Sequence, residues 1–139
     1  MFNDMIPVNI KELVVSLSNS DCNKYFGMFV GNFLDYVYNC CGECEENIEK
    51  TIIDEPDMYD NVEAWCYSYL AAMAHSIEYK YELDIKEEKR WFNSFKYVLR
   101  QPYFPGNLKG NIRLVLIKES PVEFRIRNLF VSSNVLSRV

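Results

Sequence analysis

The stretch DNVEAWCYSYLAAMAHSIEYKY, residues 60–81, does most to decide the fold class of this chain. Its apolar residues recur every three or four positions, which is typical of a helix with one buried face. That face comprises Cys66, Leu70, Met73, Ala74, Ile77 and Tyr81. Three alanines within residues 71–74 keep the helix narrow, and Asp60 with Glu63 predicts a capping box at its start. We therefore expect a central helix that ends near Tyr81.

Two further helices are predicted upstream of this stretch. Asn9 with Glu12 reads as a variant capping box, and apolar residues follow it at helical spacing: Ile10, Leu13, Val14 and Leu17. Asp21 predicts the start of a second helix. The buried face of that helix comprises Phe26, Phe29, Val30, Phe33, Leu34 and Val37. The acidic segment 44–57 is predicted to be a short helix or a loop, which Pro56 interrupts.

The helical pattern continues downstream with one interruption. Asp84 and Glu87 predict the start of a helix whose apolar face comprises Trp91, Phe92, Phe95, Val98 and Leu99. Residues 100–106 contain two prolines and a glycine, which predicts a break in the helical structure. A further helix is expected after the break, although its apolar run at 114–117 is also compatible with a short buried strand.

The sequence SPVE at residues 120–123 is the best local signal in the chain. Serine is a favoured helix cap, and proline is favoured at the first helical position. A glutamate at the third helical position can accept a hydrogen bond from the backbone of the cap residue. Asn128 is expected to end this helix in a left-handed turn, followed by a brief extended piece at 129–131. Together these signals predict one all-α domain over residues 1–139, a compact multi-helix bundle with at most one short strand pair near the C-terminus.

Charge is unevenly distributed along the chain. The net charge is −5, but residues 109–139 carry +4 and the first 108 residues carry −9. The acidic first part and the basic tail either attract each other within the fold or form a dipole that faces a partner. The acidic balance argues against binding of duplex DNA by the chain on its own, because phosphate binding requires clustered basic residues.

The sequence predicts a cytoplasmic protein without a cofactor. The chain starts without the basic region and apolar run of a secretory signal, and its apolar stretches are too short to span a membrane. Its five cysteines are therefore expected to be reduced thiols. Glycine-rich phosphate loops, calcium loops and the nucleophile elbow of hydrolases do not occur in the sequence, so no catalytic residue is assigned.

Cys41 and Cys44 form a C-x-x-C pair, which can bind zinc or form a reversible disulfide. A structural zinc site needs four ligands, and Cys22, Cys66 and His75 would have to complete it from distant positions. Neighbouring glutamates oppose thiolate formation, because a nearby negative charge raises the pKa of a thiol. We therefore expect no metal site, with Cys41 and Cys44 as its candidate ligands if one exists.

His75 is the only histidine in the sequence, and Cys66 precedes it by nine residues on the predicted central helix. At about 100° per residue, this spacing places the two side chains about half a turn apart. A Cys–His nucleophile pair is therefore not expected, and His75 is expected to pack or to face solvent. An enzyme whose acidic or thiol residues are assembled only by the fold remains an alternative.

Four basic residues cluster near the C-terminus, and we assign them as candidate partner-binding residues: Arg113, Lys118, Arg125 and Arg127. Aromatic residues lie between and beside them: Tyr103, Phe104, Phe124 and Phe130. Such a mixture can stack on and bind single-stranded nucleic acid. Alternatively, the arginines pair with the acidic first part while the rings fill the core.

Two segments of the C-terminal third, QPYFPG at 101–106 and KESPVEFRIRNLFV at 118–131, resemble the ends of small bacterial proteins of unknown function. They are also similar to C-terminal segments of some helix-turn-helix regulators. The resemblance implies a bacterial cytosolic protein that forms one half of a regulatory or toxin–antitoxin-like pair. The chain departs from the regulators because it lacks a recognisable DNA-binding first half.

The leading hypothesis is a non-enzymatic interaction protein, such as an antitoxin, an immunity protein or a regulatory partner. A small acidic domain suits the neutralisation of a basic effector or toxin, because complementary fields speed association and exclude wrong partners. The alternatives are an enzyme of unrecognised type and a nucleic-acid-binding module that uses the basic tail.

Overall fold

The computed structural model describes residues 7–40, 45–105 and 111–137. In these ranges the chain forms six α-helices and no β-sheet, which confirms the predicted all-α class. The helices are α1 (Ile10–Ser18), α2 (Cys22–Cys40), α3 (Glu45–Ile52), α4 (Ala64–Lys80), α5 (Asn111–Glu119) and α6 (Val122–Arg125). None of these helices is both long enough and apolar enough to cross a membrane.

Helix α4 lies at the centre of the core, as the sequence predicts. Every residue from 66 to 74 is buried, so this part of the helix is covered on all sides and not only along one face. The predicted capping box at its start is wrong. Glu63 occupies the cap position, but its carboxylate accepts a hydrogen bond of 2.6 Å from the Trp65 indole instead of from the helix backbone.

Both upstream helices begin where the sequence predicts them. The Asn9 side chain accepts a hydrogen bond from the Glu12 amide (2.8 Å) and donates one to the Glu12 carboxylate (3.2 Å), which is a side-chain variant of the capping box. Asp21 accepts a hydrogen bond of 3.3 Å from the Lys24 amide just ahead of α2. Helix α3 shows that the acidic segment is partly helical, and it ends four residues before Pro56.

The helix predicted between residues 84 and 99 is replaced by three short 3-10 turns, at Glu87–Lys89, Trp91–Asn93 and Phe95–Tyr97. Long-range hydrogen bonds hold this segment across the core. The Trp91 indole donates to the Ile52 carbonyl (2.8 Å), and the Ser68 hydroxyl donates to the Tyr97 carbonyl (2.6 Å). These hydrogen bonds hold the segment in a series of turns instead of a continuous helix, and the Phe95 side chain is 90% exposed.

The C-terminal region is helical where a strand was the alternative, since residues 114–117 lie within α5. The predicted role of Ser120 as a helix cap is wrong, because its buried hydroxyl accepts from the Val131 amide (2.7 Å) and donates to the Leu116 carbonyl (2.7 Å). Asn128 adopts the predicted left-handed conformation, with a φ of 62°. In the described part of the chain, an isolated parallel bridge between Tyr103 and Leu129 takes the place of the expected strand pair.

Candidate functional site

Arg127 does not belong to an accessible binding surface, contrary to its assignment from the sequence. Its side chain is 2% exposed, and its guanidinium donates to the backbone carbonyls of Phe92 (2.8 Å) and Glu123. Nη1 of the same group lies 3.3 Å from Nδ1 of His75. Burial lowers the pKa of Arg127 to about 10, and the residue ties α6 to both α4 and the Trp91–Asn93 turn.

The other three basic residues assigned from the sequence are exposed. Arg113 and Lys118 lie on α5, and Arg125 lies at the end of α6. The Arg113 guanidinium is 5.0 Å from the centre of the Phe104 ring, which stacks on Phe130 at a centroid distance of 5.2 Å. This distance is within the range of a cation–π interaction. At this position, a basic side chain and two aromatic rings therefore lie next to each other, as the sequence suggests.

Exposed apolar side chains accompany these basic residues. Val122 and Ile126 are 52% and 54% exposed, and they lie four residues apart at the same side of the α6 turn. Val115 and Ile117 on α5 are also largely exposed, whereas Leu116 between them is buried. At about 100° per residue, Val115 lies about half a turn from Arg113 on α5. The apolar pair that shares one side is therefore Val122 with Ile126. We give the name α5–α6 surface to the following exposed residues of α5 and the α6 turn: Arg113, Val115, Ile117, Lys118, Val122, Arg125 and Ile126.

A second polar cluster surrounds His75 near the end of α4. A guanidinium can only donate hydrogen bonds, so the contact with Arg127 makes Nδ1 of His75 an acceptor. The proton of the neutral ring then resides on Nε2. Burial and the positive charge of Arg127 lower the pKa of His75, which keeps the imidazole neutral at physiological pH. The ring also stacks on Phe92 at a centroid distance of 6.1 Å.

A cavity of about 730 Å³ adjoins this cluster. His75, Lys80 and Asp84 line it together with an ion pair in which Arg90 donates to Glu78 at 2.6 Å. Sequence reasoning missed this cluster, because Arg90 and Arg127 lie 15 and 52 residues beyond His75. The available signal was the spacing of His75 and Glu78, which places both on one side of α4.

Cysteine placement agrees with the sequence analysis in one respect. The Cys66 thiol faces Cys22 at an Sγ–Sγ distance of 3.2 Å, so Cys66 and His75 do not pair. Cys41 and Cys44, the candidate metal ligands, lie outside the described residues. Within the described ranges, no three histidine, cysteine or acidic residues are grouped so that they could hold a metal ion.

The contact expected between the basic tail and the acidic first part is not made by Arg127, which binds backbone carbonyls instead. The ion pairs of Glu55 with Lys96 (2.6 Å) and of Glu78 with Arg90 (2.6 Å) both join residues within the acidic first part. Basic residues of the same first part thus neutralise two of its carboxylates.

Comparison with known proteins leaves the resemblance of the C-terminal third a prediction. No protein-family model matches the chain, and no curated protein or solved structure matches it either.

Proposed function

We propose that this chain is a non-enzymatic interaction protein that binds a second protein through the α5–α6 surface. The observation that carries the proposal is the exposure of Val122 and Ile126 beside Arg125. Exposed aliphatic groups that lie together favour association, because covering them removes apolar area from water. A regulatory, immunity or antitoxin-like role would use such a surface, and the resemblance of the C-terminal third supports that class.

The partner that fits this surface is an acidic segment with an apolar face, such as an amphipathic helix. Lys118 and Arg125 would attract its carboxylates, while Val122 and Ile126 would contact its apolar side. Charge complementarity of this kind speeds encounter and sets the orientation of the partner.

A basic effector would bind elsewhere on the molecule. Exposed carboxylates between α3 and α4 form an acidic face that suits such a partner: Asp54, Asp57, Asp60 and Glu63. We favour the α5–α6 surface because it combines charge with exposed apolar area, whereas the acidic face offers mainly solvated charge. Ion pairs on an exposed charged face contribute little free energy by themselves.

Site-specific photo-crosslinking in the native host cell tests the choice of face. A crosslinker at position 122 is expected to capture one discrete protein, and a crosslinker at Met58, which is 60% exposed, serves as the control. The captured protein is then purified and its affinity for the full chain is measured. We expect V122D/I126D to weaken binding by on the order of tenfold or more, since a charge would occupy the buried apolar contact.

Matched variants separate the two candidate faces. M58D is expected to bind as the unmodified chain does, and D57K/D60K likewise, because both changes lie outside the α5–α6 surface. If D57K/D60K abolishes binding while V122D/I126D does not, the partner is a basic protein on the acidic face and the proposed surface is wrong.

A further inference from the structure

Two buried thiols from distant parts of the sequence meet inside the core. Cys22 is the first residue of α2, and Cys66 lies in the first turn of α4. Their sulfur atoms are 3.2 Å apart, and the side chains are 6% and 0% exposed. Both thiols are free, and 44 residues separate them along the chain.

The sulfur distance distinguishes between two roles for such a pair. Two thiolates that share a tetrahedral zinc ion, with Zn–S bonds of about 2.3 Å, lie about 3.8 Å apart. The observed distance of 3.2 Å is shorter than that separation, and in the described part of the chain no third histidine, cysteine or acidic residue joins the pair to form a metal site. A disulfide requires an S–S bond of about 2.05 Å, which the pair reaches if the sulfurs approach by about 1.1 Å.

We propose that Cys22 and Cys66 are a disulfide-forming site, and that a low-molecular-weight disulfide such as oxidised glutathione converts them into an intrachain bond that fastens α2 to α4. The proposed bond does not use the C-x-x-C pair at Cys41 and Cys44, and it is independent of the proposed partner.

Thiol–disulfide exchange accounts for every atom and electron in the reaction. The Cys22 thiol loses its proton and attacks one sulfur of oxidised glutathione, whose second half leaves as a thiolate and takes up that proton. The Cys66 thiolate then attacks the Cys22 sulfur and expels the second glutathione, which takes up the Cys66 proton. Two protein thiols are oxidised, and one glutathione disulfide is reduced to two thiols.

The order of attack follows from exposure. Cys22 retains some contact with solvent, whereas Cys66 is fully buried. Burial and the neighbouring Cys22 raise the pKa of the Cys66 thiol, which makes it the poorer first nucleophile. Because the oxidant must reach a nearly closed site, local opening at the start of α2 limits the rate, and low concentrations of denaturant should accelerate the reaction.

Tryptic mapping tests the site directly in the full chain. Cleavage after lysine and arginine places Cys22 in peptide 12–24 and Cys66 in peptide 51–80, while the remaining three cysteines share peptide 25–50. The reduced protein is incubated with oxidised glutathione, blocked with N-ethylmaleimide and digested. We expect a crosslinked species of peptides 12–24 and 51–80 that lacks two hydrogens relative to the sum of both, and that dithiothreitol separates.

The bond should also change stability. Closing a loop of 44 residues restricts the unfolded chain, so the melting temperature should rise by about 10 °C on oxidation and return on reduction. C22A and C66A should show no such rise with the same oxidant. Oxidation that yields only glutathione adducts at Cys22, or crosslinks only to peptide 25–50, would overturn the proposal. The proposal would also be wrong if the peptide map of the oxidised protein stayed the same as that of the reduced protein when low concentrations of denaturant are present.

Discussion

Arg127 offers a sharp test of the structure, because Arg125 two residues earlier provides a matched control. Both are arginines of the same short helical region, but Arg127 is 2% exposed and Arg125 is exposed. Arg127→Met keeps most of the apolar stem and removes the guanidinium. The carbonyls of Phe92 and Glu123 then lose their donor inside the protein.

The size of the effect follows from these two contacts. A buried acceptor that loses its partner costs about 1–3 kcal/mol, so two carbonyls predict a loss of about 2–6 kcal/mol in the free energy of unfolding. The lower end applies if water reaches one of them. Arg125→Met removes a solvated charge and should change the same free energy by less than about 0.5 kcal/mol.

Urea unfolding followed by circular dichroism measures both variants, with the midpoint and slope recorded separately. An independent readout is the titration of His75 by nuclear magnetic resonance. Since Arg127 helps to lower the pKa of His75, its removal should raise that pKa, and Arg125→Met should leave it unchanged. Equal losses of stability for the two variants would refute the structural assignment of Arg127, as would Arg127→Met behaving like the unmodified protein.

Four further outcomes are expected. Phe124→Ala should lower the free energy of unfolding by about 3–5 kcal/mol in urea titrations, because the ring is fully buried and packs edge-to-face on Tyr69 at 5.1 Å. The melting temperature should fall as the pH drops from about 7 to 5.5, because the pKa of His75 is lowered in the folded state and the unfolded chain therefore binds the proton first. In His75→Gln, the melting temperature should depend less on pH over that range. Fluorescence anisotropy should detect no submicromolar binding of random duplex DNA at physiological salt. Elemental analysis should find less than stoichiometric zinc in the purified protein, and Cys41→Ser with Cys44→Ser should leave the melting temperature unchanged.

Helical periodicity predicted the extent of α4, which ends at Lys80, one residue before the expected Tyr81. Periodicity did not predict that the middle of this helix is buried on all sides, because α2 and α6 cover it from distant parts of the sequence. Residues 84–99 carry a similar apolar spacing, yet they form 3-10 turns. Hydrogen bonds to Ile52 and from Ser68 determine their path, and no local pattern encodes partners that lie about 30 to 40 residues away.

Contacts between residues that are distant in sequence also decide which candidate site residues are accessible. The basic tail was recognisable from composition, and Lys118 and Arg125 are exposed, as expected for residues that bind a partner. Nothing in the sequence separates Arg125 from Arg127, because what distinguishes them is a carbonyl of Phe92 that lies 35 residues earlier. The meeting of Cys22 with Cys66 is equally non-local, since it depends on how α2 crosses α4.

The burial of residues 66–74 of α4 on all sides has a consequence for synthesis on the ribosome. Phe26 from α2 covers Tyr69 on one side, and Phe124 from α6 covers it on the other. A nascent chain that has emerged only as far as α4 therefore exposes the apolar side that the last third will cover. Native packing of this helix must wait until residues 122–131 have left the exit tunnel, and until then the emerging chain is a substrate for chaperones that bind apolar segments.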